Sequence, residues 1–134
     1  MTDDRTRTAQ QQYDEGMAVR RQVLGAEHVD RATQGITPAT GEFQELITRY
    51  AWGEIWTRPG IDRRMRSAVT LTALIAHGHL DELAMHLRAA QRNGLSREEI
   101  VEIVLQSAIY CGVPSANSAF AVVKRVFEEP APTD

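Results

Sequence analysis

Cysteine is nearly missing from this sequence: Cys111 is the only one. An intrachain disulfide is therefore impossible, and so is a Cys-x-x-Cys redox pair. Such a chain fits a reducing compartment, and a cytoplasmic location is expected. Long apolar runs are missing too; none approaches the ~20 residues that cross a bilayer. The stretch Met1–Gln12 is polar and charged, so neither a signal peptide nor a membrane anchor is expected. A basic excess is also absent, with Lys+Arg 15, Asp+Glu 18 and a net charge of -3. No basic stripe exists for nucleic acid or an anionic membrane. A small acidic metabolite is still admissible, because it needs only a local pair of arginines. Strand-like alternation and internal repeats are absent as well.

Helical periodicity is what the chain does have, and 134 residues suit one domain. An all-α, single-domain bundle of about six helices is predicted over 9–127. A flexible N-terminus (1–8) and a flexible acidic, proline-rich tail (128–134) flank it. The first helix covers about 9–24 and stops at Gly25. A short helical turn at 27–33 leads into a loop at 34–40. The second helix is predicted over 42–56, the third over 63–77 with Asp62 as N-cap, and the fourth over 79–93. Ser96 with Glu99 forms a capping box that opens a fifth helix to Tyr110. A break at Gly112-Val113-Pro114 precedes the sixth, about 115–127. The fifth helix carries Ile100, Val101, Ile103, Val104, Leu105, Ala108 and Ile109 around most of its circumference. A helix apolar nearly all round must be buried nearly all round. In so short a chain that burial is easiest against another subunit, so a homo-oligomer is expected.

His79, Glu82 and His86 stand at i, i+3 and i+7 on the fourth helix. At about 100° per residue they fall within about 60° and form one stripe. Leu80, Leu83, Ala84 and Leu87 lie beside it, which puts the stripe at the edge of the core. Glu82 and His86 are one turn apart, near enough to hydrogen-bond. A carboxylate beside an imidazole orients it and favours its protonated form, an acid–base arrangement. The same spacing also suits a weak pair on a solvated helix. A zinc site is a third reading of the triplet, but no fourth ligand is evident and no metal is expected.

Arg63, Arg64 and Arg66 open the third helix, where basic side chains oppose the helix dipole. An anion held there would gain both guanidinium and helix N-terminal contacts. Arg20 and Arg21 read as a surface pair. Cys111 reads as a small buried side chain, with no adjacent histidine to activate it. Tyr110 and Asn117 flank the Cys111–Pro114 turn, whose backbone N–H groups are candidates to hold an oxyanion. An ordinary proline-assisted helix start explains the same turn.

Several stretches jointly resemble one family. They are Asp62-Arg63-Arg64-Met65-Arg66-Ser67, Glu82-Leu83-Ala84-Met85-His86, Asn93 to Ile100, and Ala108 to Phe120. Tyr13, Gly16-Met17, Val19-Arg20-Arg21, Val23-Leu24-Gly25 and Trp52 to Trp56 agree too. Together, over Tyr13 to Phe127, they are similar to the gamma-carboxymuconolactone decarboxylases, within the wider alkylhydroperoxidase-D-like family. That resemblance implies an all-helical protein assembled into a ring, commonly a homohexamer (a trimer of dimers). It also implies a cofactor-free decarboxylase acting on a small lactone dicarboxylate in protocatechuate breakdown. Peroxidase relatives carry Cys-x-x-Cys-x-x-x-His on the equivalent helix. Here His79 and Glu82 occupy the cysteine positions, and only His86 matches. A peroxidase or disulfide reductase is therefore disfavoured; a non-catalytic oligomeric module is the other alternative.

Under this resemblance the roles divide as follows. His86, oriented by Glu82, donates the proton. Arg66 and Arg63 bind carboxylate, with Tyr110 and Asn117 as further substrate-binding candidates. His79 or the backbone near Gly112 faces the lactone oxygen. An arginine beside the departing carboxylate would stabilise the ground state, so arginine belongs at the retained acetate arm. An apolar wall, from Met85 or Trp52, belongs at the carboxylate that leaves.

Overall fold

The structure, a computed structural model, describes residues 6–133. Among these every regular element is helical and none is a strand. Residues 1–5, part of the expected flexible N-terminus, lie outside the described residues, as does the last residue of the tail. The chain separates into two compact units, one ending at Ile61 and the other beginning at Asp62.

The first unit holds α1 (Ala9–Leu24), α2 (Ala26–Gln34), α3 (Gly41–Ile47) and a π-helical segment (Thr48–Ile55). Thr8 caps α1 by accepting from the Gln11 N–H, and the Thr8 backbone N–H donates to the Gln11 side-chain oxygen, so α1 starts at a defined point. The turn expected at 27–33 is a full helix, α2. Fully buried Val29 anchors it, and an Arg31–Glu27 pair at 3.2 Å spans one turn.

The single helix expected over 42–56 instead changes pitch at Thr48. The Trp56 N–H bonds the Ala51 carbonyl at 3.0 Å, five residues back. The buried residues of this segment, Thr48, Trp52 and Gly53, recur at four to five, as the wider turn requires. They face α1, where the two backbones meet at paired glycines. A Cβ on Gly16 would lie 2.1 Å from the Thr48 carbonyl oxygen and 2.8 Å from the Gly53 nitrogen. A Cβ on Gly53 would lie 2.4 Å from the Gln12 carbonyl oxygen. The stripe buried on α1 is Gly16, Arg20, Val23 and Leu24. Arg20 is thus inside the unit, which overturns its expected surface position. Arg21 does lie toward solvent and pairs with Asp30 at 2.5 Å.

The second unit holds α4 (Arg63–His77), α5 (Leu80–Arg92), α6 (Arg97–Cys111) and α7 (Val113–Phe127). Asp62 caps α4 by accepting from the Met65 N–H at 2.9 Å. Gly78, left-handed at φ 70°, stops α4 and lets α5 begin two residues later. The core joins all four helices: Leu71 and Ile75, Leu83 and Leu87, Ile100 and Val104, Val122 and Val126. Each fully buried leucine or isoleucine contributes roughly 1.5–3 kcal/mol of transfer free energy. Within one chain α6 is not buried all round as expected. Ile100, Val104 and Ser107 are covered, whereas Ile109 and Tyr110 are 78% and 81% exposed.

The paired glycines yield a test. Gly16→Ala should destabilise the protein by at least the roughly 1–3 kcal/mol typical of overpacking, because its methyl group meets backbone atoms. Urea unfolding followed by tryptophan fluorescence would report it. An unchanged midpoint would mean that the two backbones do not meet there.

Candidate active site

The site is built on α5. Its buried residues are Leu83, Ala84, His86, Leu87, Ala89 and Ala90, and His86 is the only one among them with an ionisable side chain. His86 lies within about 60° of Leu83 around the helix, on the flank of the apolar face. It is 9% exposed. The apolar face of α5 therefore carries the imidazole into the edge of the core.

The other two members of the stripe are placed differently. Glu82 is exposed in the first turn of α5. It makes no hydrogen bond or ion pair among the described residues, so the orienting bond to His86 expected from their spacing is not formed. A carboxylate in the first turn still favours the helix dipole. His79 is the N-cap residue rather than a helical one, and is exposed. Its ring stacks on His77, with centroids 5.7 Å apart and planes at 17°. No three His, Cys, Asp or Glu side chains converge as a metal-binding group among the described residues.

The three arginines of the α4 start differ in burial. Arg64 is committed to structure. It donates to both carboxylate oxygens of Glu99, at 3.1 and 2.5 Å, and to the Gly94 carbonyl. It thereby ties α4 to the loop before α6. Arg63 and Arg66 are half-buried on the same helix start. One turn on, fully buried Ser67 accepts from the Asn93 side-chain amide at 2.8 Å, which fixes α4 against the end of α5. Tyr110 and Asn117 are both exposed, on the two sides of Gly112. Cys111 is a free, half-buried thiol.

Residues 41–125 match the family described as the carboxymuconolactone decarboxylase family. The chain belongs to that family. It is 42% identical over 120 residues to a 4-carboxymuconolactone decarboxylase of Acinetobacter baylyi, covering 90% of each chain. It is 45% identical over 117 residues to a nitrosuccinic acid decarboxylase of Metarhizium robertsii, covering 87% of this chain and 82% of that one. These relatives make it a carboxy-lyase. Among the described residues no helix is long and apolar enough to cross a membrane.

Arg64 and Glu99 give a pH dependence. The hydrogen bonds from Arg64, more than any other contact, hold the Glu99 carboxyl well below the usual range, at about 2. A depressed carboxylate contributes stability above its unfolded pKa and loses it as the pH falls through the folded one. The stability difference between wild type and Glu99→Gln should be constant above about pH 5 and fade toward pH 2. Urea midpoints across that range would measure it; a difference unchanged at pH 2 would remove the pair from the acid response.

Proposed function

We propose that the protein decarboxylates gamma-carboxymuconolactone to the beta-ketoadipate enol-lactone and carbon dioxide, without a cofactor, in protocatechuate catabolism. The observation carrying this reading is the 42% identity to a 4-carboxymuconolactone decarboxylase across 90% of both chains. His86 at the core edge supplies an acid–base group to go with it.

The chemistry explains why no cofactor is required. The departing carboxylate sits on the ring gamma-carbon. As the C–C bond to it breaks, the electron pair moves through the ring alkene into the lactone carbonyl. The anion left behind is a delocalised, furan-like dienolate. A proton then adds to the ring carbon alpha to the carbonyl. The second relative fits the same logic. Any nitro group on succinic acid sits on a carbon bearing a carboxylate, so carbon dioxide loss there leaves a nitronate. In both cases the electron sink belongs to the substrate. With 45% identity on that side, a nitro-substituted dicarboxylate is the second reading of the substrate.

The protein's tasks are to hold a dianion, stabilise the enolate oxygen and deliver one proton. His86 is the proton donor in this account, because it is the one ionisable side chain among the buried residues of α5 and an imidazole can both carry and release a proton. Glu82, one helical turn from His86, is its positioning residue in this account. Arg66 and Arg63 take the retained acetate arm, with Tyr110 and Asn117 toward the substrate's exposed side. His79 or the Gly112 backbone faces the lactone oxygen. Met85 supplies the apolar wall.

The protein also works as a ring-shaped homohexamer, a trimer of dimers, in the cytoplasm. Exposed Leu105, Ile109, Tyr110 and Val113 at the α6–α7 junction support a subunit interface there. A peroxidase is disfavoured by the lack of a Cys-x-x-Cys pair.

Steady-state kinetics on two variants separate the roles. His86→Ala should lower kcat by about 10²-fold or more with the fold intact, the usual scale of general acid catalysis. Arg66→Ala should instead chiefly raise KM. Near-wild-type turnover by His86→Ala would exclude it as the proton donor, and an unchanged KM would exclude Arg66 from binding.

A further inference from the structure

The first unit contains a cavity of about 390 Å³, within the size range of small-molecule sites. Arg20 forms part of its wall and is only 8% exposed. Buried guanidinium groups are normally matched by carboxylates, because an uncompensated buried charge is costly. Arg7, whose side chain is buried in this unit, follows that rule by pairing with Glu15. Arg20 does not. Its two Nη atoms donate to neutral oxygens, Thr48 Oγ1 at 3.3 Å and Gln44 Oε1 at 3.2 Å. Its buried Nε donates to nothing. Glu45 also lines the cavity, but its carboxylate lies 3.7 Å from Arg49.

We propose that this cavity is a binding site for a small monocarboxylate with an apolar body, held through the Arg20 guanidinium. Three of the five guanidinium N–H groups remain to be donated, and a planar carboxylate can take two of them side by side. Gln44 and Thr48 fix the plane of the guanidinium. Met17, Ile36 and the Tyr13 ring supply apolar surface for the rest of the ligand. A single cation with Glu45 nearby disfavours multiply charged anions such as phosphate. Burial lowers the Arg20 pKa, with only Tyr13 acting the other way, so no carboxylate of the chain supplies the countercharge that a bound carboxylate would bring. The site is built wholly from residues of the first unit and does not use His86.

Benzoate is a suitable probe, with benzamide as its neutral counterpart and inorganic phosphate as a compact anion. Calorimetric titration of the whole protein at constant ionic strength should show millimolar or tighter binding of benzoate. Benzamide and phosphate should bind at least about tenfold more weakly. Arg20→Met, which keeps the side-chain length, should abolish benzoate binding, whereas His86→Ala should leave it unchanged. Should Arg20→Met fail to fold, amide NMR of the wild type decides. Benzoate should then shift the signals of Gln44, Thr48 and Tyr13. No binding, equal binding of benzamide or phosphate, binding retained by Arg20→Met, or shifts confined to the second unit would each overturn the proposal.

Discussion

The apolar face of α5 has to be covered, and the packing that covers it decides where the candidate chemistry lies. Leu83 and Leu87 are fully buried against α4, α6 and α7. With those two fixed, the rotation of α5 about its axis is fixed as well. His86 then has to lie on the flank of the buried face, neither solvated nor sealed in the core. An imidazole held there loses most of its contact with water. Asp62 and Ser96 cap the adjoining helices, and Arg64 braces α4 to Glu99, so the frame around α5 is held from several sides.

This explains which parts of the molecule were legible beforehand. The helices of the second unit follow from strong local signals: an Asp cap, the stop at Gly78, a Ser–Glu capping box and a 3.6-residue apolar repeat. The position of His86 follows from the same repeat. Glu82 and His79 share its angular stripe, yet both are exposed, Glu82 on the first turn of α5 and His79 at its N-cap.

The first unit was less legible because its decisive contacts are between backbones. Gly16 and Gly53 mark an approach too close for side chains, and hydrophobicity patterns are blind to it. The change to π pitch at Thr48 has the same origin, since only the wider turn brings Thr48, Trp52 and Gly53 onto α1 together. Arg20 was misplaced by its residue type. Its spacing held the better signal: Gly16, Arg20, Val23 and Leu24 form one i, i+4, i+7, i+8 stripe.

The proposed reaction asks for only a modest inventory of polar groups. A substrate that carries its own electron sink needs placement, a receptor for negative charge and one proton. The central claim is therefore that catalysis needs nothing beyond the chain and its substrate. The direct measurement is the ultraviolet-monitored loss of gamma-carboxymuconolactone, formed in situ from its muconate precursor, by protein treated with a strong chelator. The account predicts rapid loss of substrate at a rate the chelator leaves unchanged. A folded protein that leaves the lactone intact, or a rate that falls with chelation and returns with added metal, would contradict it.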